Sequence, residues 1–341
     1  MQVVEIRGAR DAALVEIADP KAKGDVVRIK NLAVPMCTEW QGWRKGDAAR
    51  ELGHESVGVV DDAAESRLVK VGDRVVVMPH WGCGKCPSCL SGEHIHCTEQ
   101  RDILKETGSV GGKGSYGQYT IKPDYLLWKL PDDIELRYAA MAMCALGPTF
   151  TALRRMQVTA SDTVVVSGSG AVGLGAIVNA RTIGARVIVL EFQPYRVELA
   201  RALGATEVFD PRDPATTGKI KAMTGGYGAD ALVETSNAEA APPAVIEMVR
   251  PRGRVAFVTW TGAIPVNRIT GKGIEIYGAW HWNHQQHGDE MAERIRKARP
   301  LLDRLATHSM RLDQVQHAFA LQETGMCGKV LLYPHAEHEF A

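Results

Sequence analysis

The sequence predicts an α/β protein with a β-rich part and a second part built on a doubly wound parallel sheet. Roughly the first 145 of the 341 residues contain short strand-like runs separated by glycine. Beyond about Leu130, apolar strands and helices alternate, and one strand runs directly into a glycine-rich turn. The length is typical of about two domains.

The β-rich part contains four runs of β-branched and apolar residues, each bounded by turn-forming residues. This pattern is typical of strands. The predicted strands are Val26–Val34, Ser56–Val60, Asp73–Met78 and Gly117–Ile121.

The second part opens with helical spacing over Leu136–Leu153 and then alternates between strands and helices. Strands separated by helices of this length indicate parallel βαβ units with right-handed crossovers. The predicted elements are Thr163–Ser167, Gly173–Ile183, Arg186–Leu190, Pro194–Leu203, Ala231–Thr235, Pro243–Val249 and Arg254–Thr259, followed by a helix at Glu290–Leu305 and a strand at Gly328–Tyr333.

Composition and charge argue against several classes of protein. Forty basic residues balance forty acidic ones, so no net field attracts nucleic acid or an anionic membrane. The first fifteen residues lack a secretory signal, and glycines interrupt the most apolar stretch, Val164–Ala180, so a membrane span is not expected. The expected location is the cytoplasm.

One short loop contains four cysteines with the spacing C-x2-C-x2-C-x7-C. Four thiolates at this spacing can surround one zinc ion completely, which is typical of a structural site. Ferredoxin-type clusters place the fourth cysteine after three residues and follow it with proline, and disulfide clusters suit short secreted chains. The predicted zinc ligands are Cys83, Cys86, Cys89 and Cys97.

An apolar strand followed by G-x-G-x-x-G and a helix predicts a dinucleotide site. The first glycine permits the tight turn, the second lets the backbone approach the pyrophosphate, and the third lets the helix pack on the strand. The free N–H groups of the helix N-terminus face the phosphates. The residues concerned are Gly168, Gly170, Ala171, Val172 and Gly173.

Glu191 ends the next strand, about twenty residues beyond the glycines, where a carboxylate accepts the ribose hydroxyls of NAD. The same charge repels the 2′-phosphate of NADP. Arg196 lies close by and suits either that phosphate or stacking on adenine. The sequence therefore favours NAD over NADP.

Cys37, His54 and Cys144 are three further metal-ligand candidates, far apart in the chain. Each has an ordinary alternative, because an apolar-flanked cysteine usually fills a core and a single histidine is usually a hydrogen-bonded structural residue. Their spacing alone does not show that they meet.

Several motifs occurring in one order resemble the zinc-containing medium-chain alcohol/polyol dehydrogenases, across essentially the whole chain. The resemblance implies a GroES-like catalytic domain, residues 1–147 and 282–341, and a Rossmann NAD-binding domain, residues 148–281, in a homo-oligomer. The motifs are Gly53-His54-Glu55, Gly72-Asp73-Arg74-Val75, the four-cysteine loop, Cys144 with Thr151-Ala152-Leu153 after it, and the nucleotide motif.

Carried over by position, the resemblance implies that Cys37, His54 and Cys144 hold a catalytic zinc. Glu55 would lie beside that ion or act as an occasional fourth ligand, and the four-cysteine loop would hold the second zinc. The implied activity is reversible oxidation of a small alcohol, a secondary alcohol or polyol, to a carbonyl compound with NAD. Two alternatives are a threonine or amino-alcohol dehydrogenase and a zinc-stabilised NAD-binding regulator without turnover, and the three separate ligands argue against the regulator.

The proton relay departs from the family pattern. Family members often show Cys-x-Ser/Thr-Asp with a histidine shortly beyond, whereas here Thr38 and Glu39 follow Cys37 directly. Thr38 as first proton acceptor, Glu39 as the base, or water are three alternatives, of which the first is favoured.

The stretch from Gly278 to His287 is rich in tryptophan and histidine. His281, His284 and His287 could form a third metal site, but this spacing need not bring them together. The favoured interpretation is that Trp280 and Trp282 shape a substrate or subunit surface.

Overall fold

The computed structural model describes residues 1–335, which form two compact units. The first unit contains residues 1–143, 283–296 and the chain from Ala306 onward. The second contains residues 144–282 and 297–305. The domain boundaries drawn from the sequence, after residues 147 and 281, stay predictions, because compact units are not the same as family domains.

The first segment of the first unit is mostly strands, and its four predicted strands are confirmed with ends shifted by up to about two residues. The hairpin of the first two strands was not predicted. The elements are β1 (Gln2–Gly8), β2 (Asp11–Glu16), β3 (Val26–Pro35), α1 (Trp40–Lys45), β4 (Ser56–Asp62), β5 (Arg74–Val77), α2 (Pro87–Leu90), α3 (Ile103–Thr107), β6 (Tyr119–Pro123), β7 (Leu127–Lys129) and α4 (Leu136–Ala139).

The second unit alternates strands and helices as predicted. Four of its elements were not predicted: Glu207–Phe209, Thr216–Met223, Val266–Lys272 and Glu275–Gly278. Its elements are α5 (Gly147–Arg155), β8 (Thr163–Ser167), α6 (Ala171–Ile183), β9 (Arg186–Leu190), α7 (Pro194–Ala202), β10 (Glu207–Phe209), α8 (Thr216–Met223), β11 (Ala229–Glu234), α9 (Ala241–Met248), β12 (Val249–Phe257), α10 (Val266–Lys272) and β13 (Glu275–Gly278).

The chain closes with α11 (His284–Leu305), β14 (Ala306–Arg311), α12 (Val315–Thr324) and β15 (Lys329–Tyr333). Non-helical backbone at His287 marks a kink in α11, and Pro300 lies inside the same helix.

The second unit is built on a six-stranded sheet in the order β10-β9-β8-β11-β12-β13, with every pair parallel. Its central strands are buried along their whole inner length, as at Val164–Val166 in β8. A strand buried on both faces carries a continuous apolar run, which is why the sequence showed no alternation here. The doubly wound α/β prediction is confirmed.

The first unit is built on a seven-stranded sheet in the order β14-β15-β3-β4-β5-β7, with β6 also paired to β3. β14 and β15 pair in parallel and the other pairs are antiparallel. One core of this unit contains Trp43, Tyr116 and Phe319, and the rings of Trp43 and Phe319 stack at 5.7 Å. The β-rich prediction for this part is confirmed.

The helical spacing over Leu136–Leu153 corresponds to two helical segments and not to one helix, because the chain leaves the helical path between Ala142 and Gly147. Met143 has φ −83° and ψ −113°, and regular α-helix resumes only at Gly147. Proline lacks an N–H group, and its ring collides with the carbonyl four residues earlier in a continuous helix. For Pro148 that carbonyl belongs to Cys144, which favours an interruption of the helix around this cysteine.

Helix α6 holds the segment after the break. Gly175 passes so close that a Cβ atom there would lie 1.7 Å from the Ala145 carbonyl oxygen. The buried Asn179 side chain donates from Nδ2 to the Leu146 carbonyl and to the Thr149 hydroxyl, both at 2.9 Å. The segment that carries Cys144 is therefore fixed by backbone contact and by hydrogen bonds.

Within residues 1–335, none of the helices combines the length and the apolar character that crossing a membrane requires.

We expect Gly175→Ala to destabilise the protein by about 1–3 kcal/mol, because the added methyl group overpacks the contact with Ala145. Gly218→Ala in α8 is the matched control, since a Cβ atom there meets nothing within 4 Å. The control should be neutral or stabilising by up to about 1 kcal/mol. Urea unfolding measures both, and equal effects of the two substitutions would contradict the role given to Gly175.

Candidate functional site

The four-cysteine loop brings its thiols into one group. The Sγ atoms of Cys83 and Cys89 are 4.0 Å apart, and those of Cys86 and Cys97 are 3.8 Å apart. All four Sγ atoms lie within 4.8 Å of one another. These distances are far longer than the disulfide bond length of about 2.05 Å, and all four cysteines are free.

The geometry fits a tetrahedral zinc ion. Four sulfur atoms about 2.3 Å from zinc form a tetrahedron with edges of about 3.8 Å. Backbone N–H groups already point at the sulfur atoms: Cys86 donates to Cys83 Sγ and Cys83 to Cys97 Sγ, each at 3.3 Å. The backbone N–H of Lys85 leads in lowering the pKa of Cys83 to about 6, whereas burial raises the pKa of Cys89 to about 12.

A second group joins Cys37, His54, Glu55 and Cys144, whose ligand atoms all lie within 4.8 Å of one another. Cys37 comes two residues after β3, and His54 and Glu55 come directly before β4. Cys144 follows Met143 directly and lies in the segment where the helix is interrupted. The structure thus brings together the three candidates that sequence spacing could not connect.

His54 is oriented by Glu39. Its Nδ1 lies 2.8 Å from Glu39 Oε1, so Nδ1–H donates to the carboxylate. Its Nε2 lies 3.9 Å from Glu55 Oε1, on the side of the second group. A carboxylate on one nitrogen fixes the tautomer and leaves the other nitrogen as a donor to a metal ion.

Both oxygens of Glu39 are engaged. Oε2 accepts from the Tyr116 hydroxyl at 2.9 Å and from the Cys37 N–H at 3.1 Å. Burial alone would raise the pKa of Glu39, but the charge of His54 and the hydrogen bonds from His54 and Tyr116 lower it to about 2. Glu39 is therefore held as a carboxylate.

Glu55 is in the opposite situation. It is fully buried and accepts a hydrogen bond at 2.8 Å from Lys329 Nζ, which is 1% exposed. Burial raises the pKa of Glu55 to about 7, although the Lys329 cation acts to lower it. Two carboxylates on either side of His54 thus have very different affinities for a proton.

Thr38, predicted as the proton acceptor, has an exposed side chain between Cys37 and Glu39. Sequence reasoning missed Tyr116 and Lys329. The sequence does contain an indication of the lysine, since Lys329 is a cationic residue at the start of an otherwise apolar strand. The structure shows that this strand is buried throughout.

The three histidines after Gly278 do not converge. His284 Nε2 lies 2.9 Å from the Tyr125 carbonyl oxygen, to which it donates. Only the two groups described above qualify as candidate metal sites among residues 1–335, so the suggested third site is not present there. His281 instead lies beside Cys144, with Nε2 3.6 Å from Sγ. Trp282 is buried against Phe150, and Trp280 is 40% exposed.

The glycine motif leads from β8 into α6 as predicted. Gly168 has φ +83°, and a Cβ atom there would lie 2.7 Å from the Ser236 Cα atom. A Cβ atom on Gly173 would lie 2.0 Å from the Gly168 carbonyl oxygen. At Gly170, by contrast, nothing of the protein lies within 4 Å of that position. Packing against the protein therefore does not require glycine at this helix N-terminus. Ala171 and Val172 form the first turn of the helix.

Glu191 is joined to this turn. Its Oε2 accepts from the backbone N–H and the hydroxyl of Ser169 at 3.1 and 2.8 Å. Its Oε1 accepts from the N–H groups of Phe192 and Gln193. Burial opposes ionisation of Glu191, but these hydrogen bonds lower its pKa. The carboxylate is thus charged and fixed beside the glycine turn, and Arg196 lies in the first turn of α7.

Two family models match the chain. The alcohol dehydrogenase GroES-like domain matches residues 23–132, and the zinc-binding dehydrogenase model matches residues 171–297.

Two curated relatives match over nearly the full length of both chains. Sorbitol dehydrogenase of Bacillus subtilis (strain 168) is 30% identical, covering 98% of this chain and 98% of the relative. L-Threonine 3-dehydrogenase of Bacillus velezensis is 29% identical, covering 97% and 98%.

Among solved structures, an alcohol dehydrogenase from Thermus sp. ATN1 superposes with a TM-score of 0.86 at 24% identity. The match covers 98% of this chain and 99% of that one. At this identity the likeness concerns the fold.

We expect Lys329→Met to destabilise the protein by about 3–5 kcal/mol at a pH well above 7, where Glu55 is ionised, because it leaves the buried carboxylate without its cation. Near pH 7 the loss should be smaller, because Glu55 then takes up a proton. The double variant Glu55→Gln with Lys329→Met should recover much of that loss, since the remaining amide carries no charge. Urea unfolding of both variants gives the comparison. If the double variant is no more stable than the single one, the buried ion pair does not explain the loss.

Proposed function

Because the chain belongs to the zinc-containing medium-chain alcohol dehydrogenase family, we propose that it is an NAD-dependent enzyme that reversibly oxidises an alcohol to a carbonyl compound. The favoured substrates are secondary alcohols or polyols, and we infer a cytoplasmic homo-oligomer. The observation that supports the proposal best is the group of Cys37, His54 and Cys144, three metal-type ligands from separate parts of the chain.

The donor set of this group fits a catalytic zinc. Two thiolates and one neutral imidazole balance the charge of Zn²⁺ and leave one coordination position for a substrate, whereas four thiolates fill every position. We therefore assign the catalytic zinc to Cys37, His54 and Cys144 and a structural zinc to the four-cysteine loop. When bound, the catalytic zinc supplies a Lewis acid that lowers the pKa of an alcohol hydroxyl.

In this proposal Glu39 and Tyr116 act on the histidine. Glu39 holds His54 with Nδ1 protonated, and Tyr116 holds Glu39 in turn. Nε2 then keeps its lone pair for the metal ion. Because both oxygens of Glu39 are engaged, its positioning role is favoured over a role as the base.

We assign the first proton acceptor to Thr38. Its hydroxyl follows the ligand Cys37 directly, and its exposed side chain can pass a proton on to water. Glu55 remains beside the metal group and, through Lys329, is held at a fixed position.

The cofactor is assigned to the turn after β8. Gly168, Gly170 and Gly173 would receive the pyrophosphate at the start of α6, and bound NAD supplies the hydride acceptor. The charged Glu191 carboxylate favours a ribose with free hydroxyls over a ribose with a 2′-phosphate. Arg196 would contact the adenosine end.

An amino alcohol is the second candidate substrate. A relative of nearly equal identity is an L-threonine 3-dehydrogenase, while the sorbitol dehydrogenase supports a polyol. The ligand sets do not separate these substrates, because specificity depends on the shape and polarity of the pocket.

The test is formation of NADH, followed by absorbance, with the zinc-loaded protein, a panel of secondary alcohols, polyols and L-threonine, and NAD or NADP. We expect turnover with NAD in preference to NADP. Cys37→Ala should lose one metal ion and all turnover. Cys327→Ala is the matched control, because this buried cysteine lies outside both candidate metal groups. It should keep the full metal content and the turnover.

Metal analysis of the same samples makes the result decisive. Fully loaded protein that oxidises nothing in the panel and reduces no matching ketone would support the regulator without turnover. Metal content unchanged by Cys37→Ala would remove the assigned site.

We expect Thr38→Val to lower kcat by about 100-fold at unchanged zinc content, because the proton loses its acceptor. Thr270→Val, at an exposed threonine in α10, is the control and should leave kcat unchanged. Steady-state kinetics and metal analysis provide the readout. Wild-type kcat in Thr38→Val would transfer the relay to water.

A further inference from the structure

A buried histidine contacts one of the assigned zinc ligands. His281 Nε2 lies 3.6 Å from Cys144 Sγ, and both residues belong to the second unit. His281 is 5% exposed and Cys144 is 7% exposed, so this contact is shielded from water. The proposed reaction does not use His281.

The chemistry of a metal-bound cysteine decides the direction of this contact. A cysteine that binds zinc is a thiolate, which has no proton and can only accept a hydrogen bond. Nε2 of His281 must therefore carry the hydrogen and donate it to sulfur.

The separation also resembles that of two ligands on one ion, so ligation is the competing interpretation. A sulfur at about 2.3 Å and a nitrogen at about 2.05 Å from a tetrahedral zinc lie about 3.6 Å apart. However, the group whose ligand atoms all lie within 4.8 Å of one another consists of Cys37, His54, Glu55 and Cys144, without His281. This favours a histidine that faces the sulfur over one that faces the ion.

We propose that His281 is a positioning residue that donates an Nε2–H···Sγ hydrogen bond to the Cys144 thiolate and so tunes the catalytic zinc. The proposal rests on the zinc site assigned under the proposed function. The hydrogen bond stabilises negative charge on sulfur and reduces the charge that sulfur gives to the metal. The ion is then more electrophilic toward a substrate oxygen than its two thiolates alone would make it.

The test replaces only the metal of the Cys37, His54 and Cys144 site by cobalt(II), with zinc kept in the four-cysteine loop. It records the sulfur-to-cobalt charge-transfer bands without alcohol or NAD. In His281→Phe the sulfur electrons lose their stabilisation, so we expect these bands to move to longer wavelength. The ligand-field bands should keep their intensity. Affinity for the catalytic metal should fall by about 10- to 100-fold, as for other groups that hold a ligand.

Three further variants separate the proposed hydrogen bond from other effects. His281→Gln retains an N–H donor and should return the bands toward the wild-type wavelength. In a Cys144→Ser background, His281→Phe should produce no further shift, because the sulfur concerned is absent. His284→Gln, three residues away on the Tyr125 carbonyl, is the control and should leave the bands unchanged.

Unchanged charge-transfer bands in His281→Phe would overturn the proposal. A change in ligand-field intensity that signals a lost ligand would overturn it in favour of ligation. If His281→Phe does not fold, the wavelength in His281→Gln relative to His281→Leu decides in its place. Since no substrate is present, a protein that oxidises no alcohol can still give the expected shift.

Discussion

The missing N–H group of Pro148 is the constraint on which the site depends. A regular helix through Cys144 would place the ring of this proline against the Cys144 carbonyl, and the chain instead leaves the helix at Met143 and restarts at Gly147. Gly175 and Asn179 of α6 then hold the released segment. The helix whose first turn carries the glycine motif thereby also fixes a proposed metal ligand, and one element serves both halves of the proposed chemistry.

The two carboxyl groups beside the His54 imidazole, those of Glu39 and Glu55, differ in how readily they bind a proton. Glu39 is surrounded by donors and stays ionised, with a pKa of about 2. Glu55 has the buried Lys329 ammonium as its partner, and burial raises its pKa to about 7. The ionised group can orient His54 permanently, whereas the charge of the other depends on its surroundings. An acidic residue beside a metal site therefore cannot be assigned a role from its type alone.

Sequence periodicity predicted the central strands of both sheets and four of the longer helices, because buried strands and amphipathic helices leave patterns in consecutive residues. The apolar spacing over Leu136–Leu153 did not correspond to one continuous helix, because Pro148 favours an interruption that the spacing does not show. Lys329 and Tyr116 were missed because their partners lie far away in the chain, and no local pattern records such contacts. The sequence shows His281 only as one of three closely spaced histidines, and the fold is needed to show that it contacts the Cys144 thiol.

The position of β15 in its sheet has a consequence for biosynthesis. This strand, the last one described, pairs with β14 and with β3, so the first sheet closes only when Lys329–Tyr333 has been synthesised. Glu55 and Lys329 are separated by 274 positions. The second sheet uses one continuous stretch and can form while the ribosome is still translating. Until Lys329 has emerged from the ribosome, the nascent polypeptide carries the Glu55 carboxylate without its counter-ion, and a product truncated before Lys329 lacks it permanently.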